Sequence, residues 1–348
     1  MNLSKETFLG LLEGKNPSTL ELGPIQLAHL YINSAFLVTV TGFLKDQLWL
    51  KRQEERDISY CDFMTPLFSN DLLRISFLKD FLIASGETNL KKLAKDSKVI
   101  EENVLKQILG ACELSQKEFV IESLKEMSLY FLAEEKAQEG RLQSLGHKGP
   151  DLYRTFDNLD DLFNLNYQLD RDMIFDSTIK ERLYAGAGVG VQSGYSTILL
   201  AMENMQLKQG GKVIDLGSGY GRVGLVCSLL RPDVDFIGYE FVPHRVEISN
   251  IATKAFGLEE NLSFQVQDLS LASFKIPEAD VYYLYDPFTK ETYHYVLGQI
   301  VEYSKDKEIT IITKGNARGW LMDIAEENSW PRPVIIDEGN LCVFKTRE

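Results

Sequence analysis

The stretch Val213-Ile214-Asp215-Leu216-Gly217-Ser218-Gly219-Tyr220-Gly221-Arg222-Val223-Gly224 holds the most chemically pointed spacing in the chain. An apolar run closes on a carboxylate, alternating glycines follow, and a helical pattern begins. Glycines at a strand end let the backbone turn sharply and let N–H groups at a helix N-terminus approach a ligand closely. The arrangement predicts a nucleotide-like cofactor. Gly219-x-Gly221-x-x-Gly224 matches the dinucleotide fingerprint in form, and Glu240 follows 19 residues after Gly221. An NAD-dependent oxidoreductase is therefore one reading. Two features point elsewhere: Gly217-Ser218 separates the strand from the glycine triplet, and Asp215 sits at the strand end. A carboxylate facing the pocket suits a cationic cofactor group better than a pyrophosphate.

These residues need a sheet to hold them. From Lys212 onward, short apolar or β-branched runs alternate with helical patterns over 223–230 and 245–256. The runs are Val213-Ile214-Asp215-Leu216, Asp235-Phe236-Ile237-Gly238-Tyr239, Leu262-Ser263-Phe264-Gln265-Val266, Val281-Tyr282-Tyr283-Leu284 and Ile309-Thr310-Ile311-Ile312. Strands alternating with helices predict an α/β fold, a Rossmann-like doubly wound and mostly parallel sheet covered on both faces.

At Asp215 to Gly221 the chain resembles class I S-adenosylmethionine-dependent methyltransferases, whose first motif has the form Asp-Leu-Gly-x-Gly-x-Gly. The resemblance spans roughly residues 184 to 346. It implies S-adenosyl-L-methionine as cofactor, with Asp215, Gly217, Gly219 and Gly221 in the loop that carries its methionine end. It also implies Glu240 on the ribose hydroxyls, where a carboxylate accepts from both at once. Asp268, in Gln267-Asp268 after the third strand, falls where the family reaches the adenine amine; a solvated loop acid is the plainer reading.

The fourth strand ends Tyr285-Asp286-Pro287-Phe288, which looks like a shortened Asp/Asn-Pro-Pro-aromatic motif of amine methyltransferases with one proline missing. On that likeness Asp286 orients an amine through a hydrogen bond while Tyr285 and Phe288 wall the channel; an ordinary turn is the alternative. The wider block, with Gly238-Tyr239-Glu240, is similar to seven-strand-type protein-lysine methyltransferases. The expected acceptor is thus an amine, on a protein or a small molecule. The expected mechanism is direct transfer to a neutral nucleophile, for which the protein supplies alignment, desolvation and a route for the departing proton, and no metal is required. A regulator that senses the cofactor without catalysis is a further reading.

Residues 186–195, glycine-rich and leading into a helix from about Ser196, suit a lid over the cofactor or an interdomain hinge. The histidines His29, His147, His244 and His294 are scattered; His294 stands where a base could act, or on a surface helix.

The N-terminal portion carries apolar residues at helical spacing, as in Leu27, Leu30, Tyr31, Ala35 and Val38. A run over 72–83 stops near Gly86, Asn89 is placed to cap a short helix through Ala94 with Lys91, Lys92 and Lys95 facing solvent, and a third run spans 101–114. Phe119-Val120-Ile121 and Leu129-Tyr130-Phe131 read as two short strands. Three helices and a hairpin resemble a winged helix, yet the third helix has Lys106 as its one cation, the wrong charge for DNA, so a cap or a homodimerisation module is expected. The Asp- and Asn-rich stretch 151–176 reads as a connector that docks on a neighbouring domain. The expected division is 1–150 mainly helical, 151–195 connector and lid, and 196–348 cofactor-binding.

Composition bounds the rest. With 348 residues, 44% hydrophobic and 25% charged, the chain is neither disordered nor fibrous and is long enough for about two domains. A net charge of −14 disfavours nucleic acid as a partner. Cys61, Cys112, Cys227 and Cys342 lie far apart, which predicts buried free thiols and no zinc site. The N-terminus lacks a signal-peptide order, and the best apolar run, residues 35–40, falls well short of a membrane span. A cytoplasmic protein is expected.

Overall fold

Strands buried on both faces are apolar without strict alternation; five of the runs picked out above form strands, of which the one at the sheet edge leaves Gln265 and Val266 exposed. In the computed structural model these are β1 (Lys212–Leu216), β2 (Asp235–Glu240), β3 (Leu262–Val266), β4 (Val281–Tyr285) and β5 (Thr310–Lys314). Two further strands, β6 (Val334–Ile336) and β7 (Leu341–Lys345), complete a seven-stranded sheet of order β3-β2-β1-β4-β5-β7-β6. β1 to β5 pair in parallel, whereas β7 runs antiparallel to both β5 and β6. The structure describes residues 5–12, 21–68, 78–128, 154–171, 173, 192–285, 289–315, 317–336 and 341–347. It divides into two units, Met1–Thr155 and Phe156–Glu348.

In the first unit, α1 (Lys5–Leu12) precedes α2 (Pro24–Glu54), whose proline occupies the first turn, where its missing N–H costs nothing. α3 (Tyr60–Leu67), α4 (Lys79–Ser85), α5 (Leu90–Leu109) and α6 (Glu113–Met127) follow. α2 is the central helix, with α5 and α6 packed on it and Tyr31 tilted against Phe119 at 5.6 Å. At 31 residues it is also long and apolar enough to cross a membrane, which the short run 35–40 did not suggest, but 83% of its most apolar window is buried within the unit.

The runs around Asn89 and from Glu101 are one helix, α5, because no glycine or proline interrupts residues 90–109. Lys91, Lys92 and Lys95 are exposed on it, as expected. Asn89 holds the N-cap position, although its side-chain amide donates backward to the Ser85 carbonyl. The strand expected at Phe119-Val120-Ile121 is helix instead. Phe119, Val120, Ser123, Leu124 and Met127 are buried at helical spacing in α6, and the helix-forming flanks prevail over three β-prone residues. The hairpin that suggested a winged helix is therefore missing its first strand; the second, 129–131, lies outside the described residues.

The second unit opens with part of the Asp-rich segment. A short 3-10 turn (Asp157–Leu159), α7 (Asp160–Phe163) and α8 (Gln168–Arg171) dock on this unit's own helices, with Phe163 4.7 Å from Phe256. Next come α9 (Tyr195–Met205), α10 (Arg222–Leu230), α11 (Pro243–Ala255), α12 (Lys290–Ser304) and α13 (Arg318–Glu327). A core of Ile214, Leu216, Tyr282, Leu284, Ile300 and Ile311, with their neighbours, is sealed between the sheet and its helices. The chain builds β1, β2 and β3 toward one edge and then returns to place β4 beside β1. That reversal opens a crevice at the carboxyl ends of β1 and β4.

Candidate active site

The crevice is lined first by the loop after β1. Gly217, Gly219 and Gly221 take φ values of 91°, 55° and 81°, the left-handed region that favours glycine. At Gly221 a Cβ would also stand 2.6 Å from the Phe264 ring, so no side chain fits there. The loop is clipped to β2 by two bonds, the N–H groups of Gly217 and Ser218 both donating to the Tyr239 carbonyl at 2.9 Å.

Two carboxylates flank the loop. Asp215, next to last in β1, is 2% exposed and makes no hydrogen bond among the described residues. Burial pushes its pKa well above the ordinary carboxylate range, and the charge of Glu240 adds to the rise. Glu240 ends β2: its Oε2 accepts from the Gly219 N–H at 2.9 Å and its Oε1 from the Val242 N–H at 3.0 Å. Asp268, half-buried after β3, folds back on its own loop, accepting from the N–H and hydroxyl of Ser270 at 2.9 and 2.6 Å.

Other residues reach this site that sequence reasoning did not single out. The Gln192 side chain lies over the loop, where a Cβ on Gly219 would meet its Oε1 at 2.9 Å. Gln192 thus covers the cradle, while residues 186–191 of the expected lid lie outside the described residues. Arg222, directly after the last loop glycine, is 1% exposed and forms a two-pronged pair with Asp160, Nε to Oδ1 at 2.8 Å and Nη2 to Oδ2. It also donates to Asp157 Oδ1 at 2.8 Å and to the Ser193 carbonyl at 3.1 Å. Tyr167 and Tyr195 complete the shell by donating to Asp160 at 2.6 and 2.8 Å. Burial works against the Arg222 charge, but the Tyr195 and Asp160 groups outweigh it and hold the guanidinium above its ordinary pKa.

A second pair stands behind Glu240. Arg245 Nε donates to Asp170 Oδ1 at 3.1 Å, Arg245 Nη1 lies 3.5 Å from Glu240 Oε1, and His244 Nε2 is 2.8 Å from Asp170 Oδ1. Three acids of the connector, Asp157, Asp160 and Asp170, therefore anchor the two helices that begin at the cofactor loop and after β2. The surplus of acids over 151–176 and an arginine adjoining the glycine motif were the sequence signals for this.

Across the crevice, Tyr283 of β4 is in register with Asp215 and bonds Ser193 through the two hydroxyls at 2.8 Å. Tyr285 ends β4 half-buried, with Lys314 of β5 in register beside it and the Lys314 Nζ 4.4 Å above its ring. Asp286, Pro287 and Phe288 lie outside the described residues. His294 is exposed on α12, as the surface-helix reading had it. Of the thiols, Cys227 and Cys342 are buried but Cys61 and Cys112 are exposed, because they stand on helix ends at the surface of the first unit.

The residues fit S-adenosylmethionine: a glycine cradle, a buried carboxylate without a partner for a cationic group, and an acid closing the second strand. Residues 207–332, just over a third of the chain, match the family model of a methyltransferase domain. The chain is similar in structure to an RNA methyltransferase from Salinibacter ruber in complex with S-adenosyl-L-homocysteine, at 18% identity and a TM-score of 0.34 over 44% of this chain and 91% of that one. It is likewise similar to a precorrin-6y C5,15-methyltransferase from Geobacter metallireducens GS-15, at 12% identity and a TM-score of 0.37 over 44% and 87%. A third likeness is to TrmN from Thermus thermophilus, at 18% and 0.37 over 46% and 50%. No curated protein matches the chain. The Asp-Leu-Gly-x-Gly-x-Gly loop at the end of β1, the acid closing β2 and the family match that spans both make the C-terminal unit a class I S-adenosylmethionine-dependent methyltransferase domain.

Proposed function

We propose that this domain methylates an amine, with the side chain of a protein lysine as the acceptor. The observation that carries the reading is Tyr285, an aromatic residue at the carboxyl end of β4, the strand paired with β1, where the chain runs directly into Asp286-Pro287-Phe288. Bound S-adenosylmethionine supplies a methyl group already activated on a sulfonium. The chain's own part is then to bind, align and exclude water. Asp215, beside the glycine turn, would hold the charged methionine end, Glu240 the ribose hydroxyls and Asp268 the adenine side. An amine must shed its proton before attack, and partial desolvation beside Tyr285 would favour the neutral form, with Phe288 proposed as a further wall. Asp286 would orient the amine through a hydrogen bond.

A second reading is favoured by Lys314. Its ammonium already occupies a face of the Tyr285 ring, and a fixed cation there disfavours an ammonium acceptor and favours an oxygen that carries or develops negative charge. Incubating the full chain and a cell lysate with methyl-labelled cofactor separates the two. Label stable to alkali on lysine nitrogen supports the first reading, and label only on oxygen replaces it with the second.

A further inference from the structure

The first unit holds a cluster that the methyltransferase reading does not use. His29 of α2 is 5% exposed, and its ring lies between two glutamates of α6, Nε2 at 3.2 Å from Glu122 Oε1 and Nδ1 at 3.2 Å from Glu126 Oε2. Glu122 and Glu126 are four residues apart, so helical geometry puts both carboxylates on the face that α6 turns to α2. One donor atom from each of the three residues lies within 4.8 Å of the other two.

The informative atom is Nε2. It is fully buried and only 3.2 Å from a carboxylate oxygen, yet it makes no hydrogen bond, so its in-plane direction is not aimed at that oxygen. Two donors about 2.0–2.2 Å from one ion, at angles between square and tetrahedral, stand roughly 3.0–3.4 Å apart. The separation of Nε2 from Glu122 Oε1 is thus that of neighbours in a coordination sphere. Glu126 completes the pattern, since a carboxylate on the far ring nitrogen fixes tautomer and orientation in metal-bound histidines. The glutamates are 22% and 13% exposed, which leaves an entry path, although Lys125 Nζ lies 4.0 Å from the other Glu122 oxygen and competes for it.

We propose that His29, Glu122 and Glu126 form a binding site for one divalent transition-metal ion that joins α2 to α6. The His29 imidazole and the Glu122 carboxylate as donors, with Glu126 holding the far ring nitrogen, suit zinc, manganese or ferrous iron, whereas magnesium and calcium prefer oxygen alone. The ion ties the central helix to its neighbour, so its binding adds to the stability of the helical unit.

The test titrates chelator-stripped full-length protein with Zn²⁺ by calorimetry and follows thermal unfolding with and without the ion. The expected result is one equivalent bound per chain, a higher Tm with Zn²⁺, and at least a tenfold loss of affinity in both Glu122→Gln and His29→Gln. In case these variants do not fold, the wild-type protein is loaded with Co²⁺, and d–d absorption bands together with paramagnetic shifts of the His29 ring signals are expected. Binding of less than 0.1 equivalent, a Tm indifferent to Zn²⁺, unchanged affinity in both folded variants, or Co²⁺ that leaves the His29 signals unmoved would each overturn the site. The cluster would then be a protonated histidine paired with two glutamates only.

Discussion

Gly219 donates its backbone N–H to the Glu240 carboxylate across 2.9 Å, so the loop leaving β1 and the acid ending β2 are one hydrogen-bonded unit. Gly219 takes a φ of 55° there, a conformation that glycine adopts at little cost. The acid proposed to hold the ribose hydroxyls therefore also shapes the loop proposed to take the methionine end.

Glu240→Ala is accordingly expected to act twice. It removes a charge-assisted acceptor from the cofactor, a loss of about 1.5–3 kcal/mol or roughly tenfold to 150-fold in affinity. It also leaves the Gly219 and Val242 N–H groups without their acceptor, so a lower urea midpoint should accompany the weaker S-adenosylhomocysteine binding seen by calorimetry.

Asp215 gives a pH dependence with a definite sign. Burial, then the Glu240 charge, raises its folded pKa well above 3.8, so the folded chain binds a proton that the unfolded chain has released. That contribution to stability is fully present below about pH 4 and is lost as pH rises through the raised pKa. The cofactor-free protein should thus lose thermal stability over that window, and Asp215→Asn should flatten this part of the profile. A cationic cofactor favours the ionised carboxylate, so affinity should grow as pH rises through the same range in the wild type.

Arg222→Ala should destabilise the second unit by about 3–5 kcal/mol, because it leaves Asp160 buried and unpaired. Equilibrium urea unfolding measures the loss. Arg222→Met combined with Asp160→Asn should recover much of it, since no uncompensated buried charge remains.

The parallel strands were legible because β1 to β5 are apolar runs bounded by turns, and the loop after β1 was legible because alternating glycines at a strand end mark a turn through the left-handed region. β6 escaped for a physical reason: it is three residues long, mostly exposed and preceded by Pro331 and Pro333. β7 did not have to escape, as Leu341-Cys342-Val343-Phe344 is a fully buried run of the kind that marked the other strands. Phe119-Val120-Ile121 misled because three β-prone residues carry little weight inside a helix whose buried face they continue. The Arg222–Asp160 and Arg245–Asp170 pairs join residues 62 and 75 positions apart, so the acid-rich connector and the arginine after the glycines signalled charge but not which residues pair.

Cys112 is expected to be the most reactive thiol. It stands at the N-cap position of α6 and is exposed, and the Ser115 hydroxyl 3.4 Å from its sulfur holds its pKa below the usual value. Mass spectrometry after brief iodoacetamide treatment near pH 7 should find Cys112 alkylated before buried Cys227, whose thiol burial pushes up to about 12. Ser115→Ala should slow the reaction at Cys112.

The cofactor decides the central claim most directly. Calorimetric titration of the full-length chain with S-adenosylhomocysteine and, separately, with NADH should show one equivalent of S-adenosylhomocysteine bound, weakened at least tenfold by Asp215→Ala, and no heat from NADH. Binding of NADH with no binding of S-adenosylhomocysteine would contradict the account.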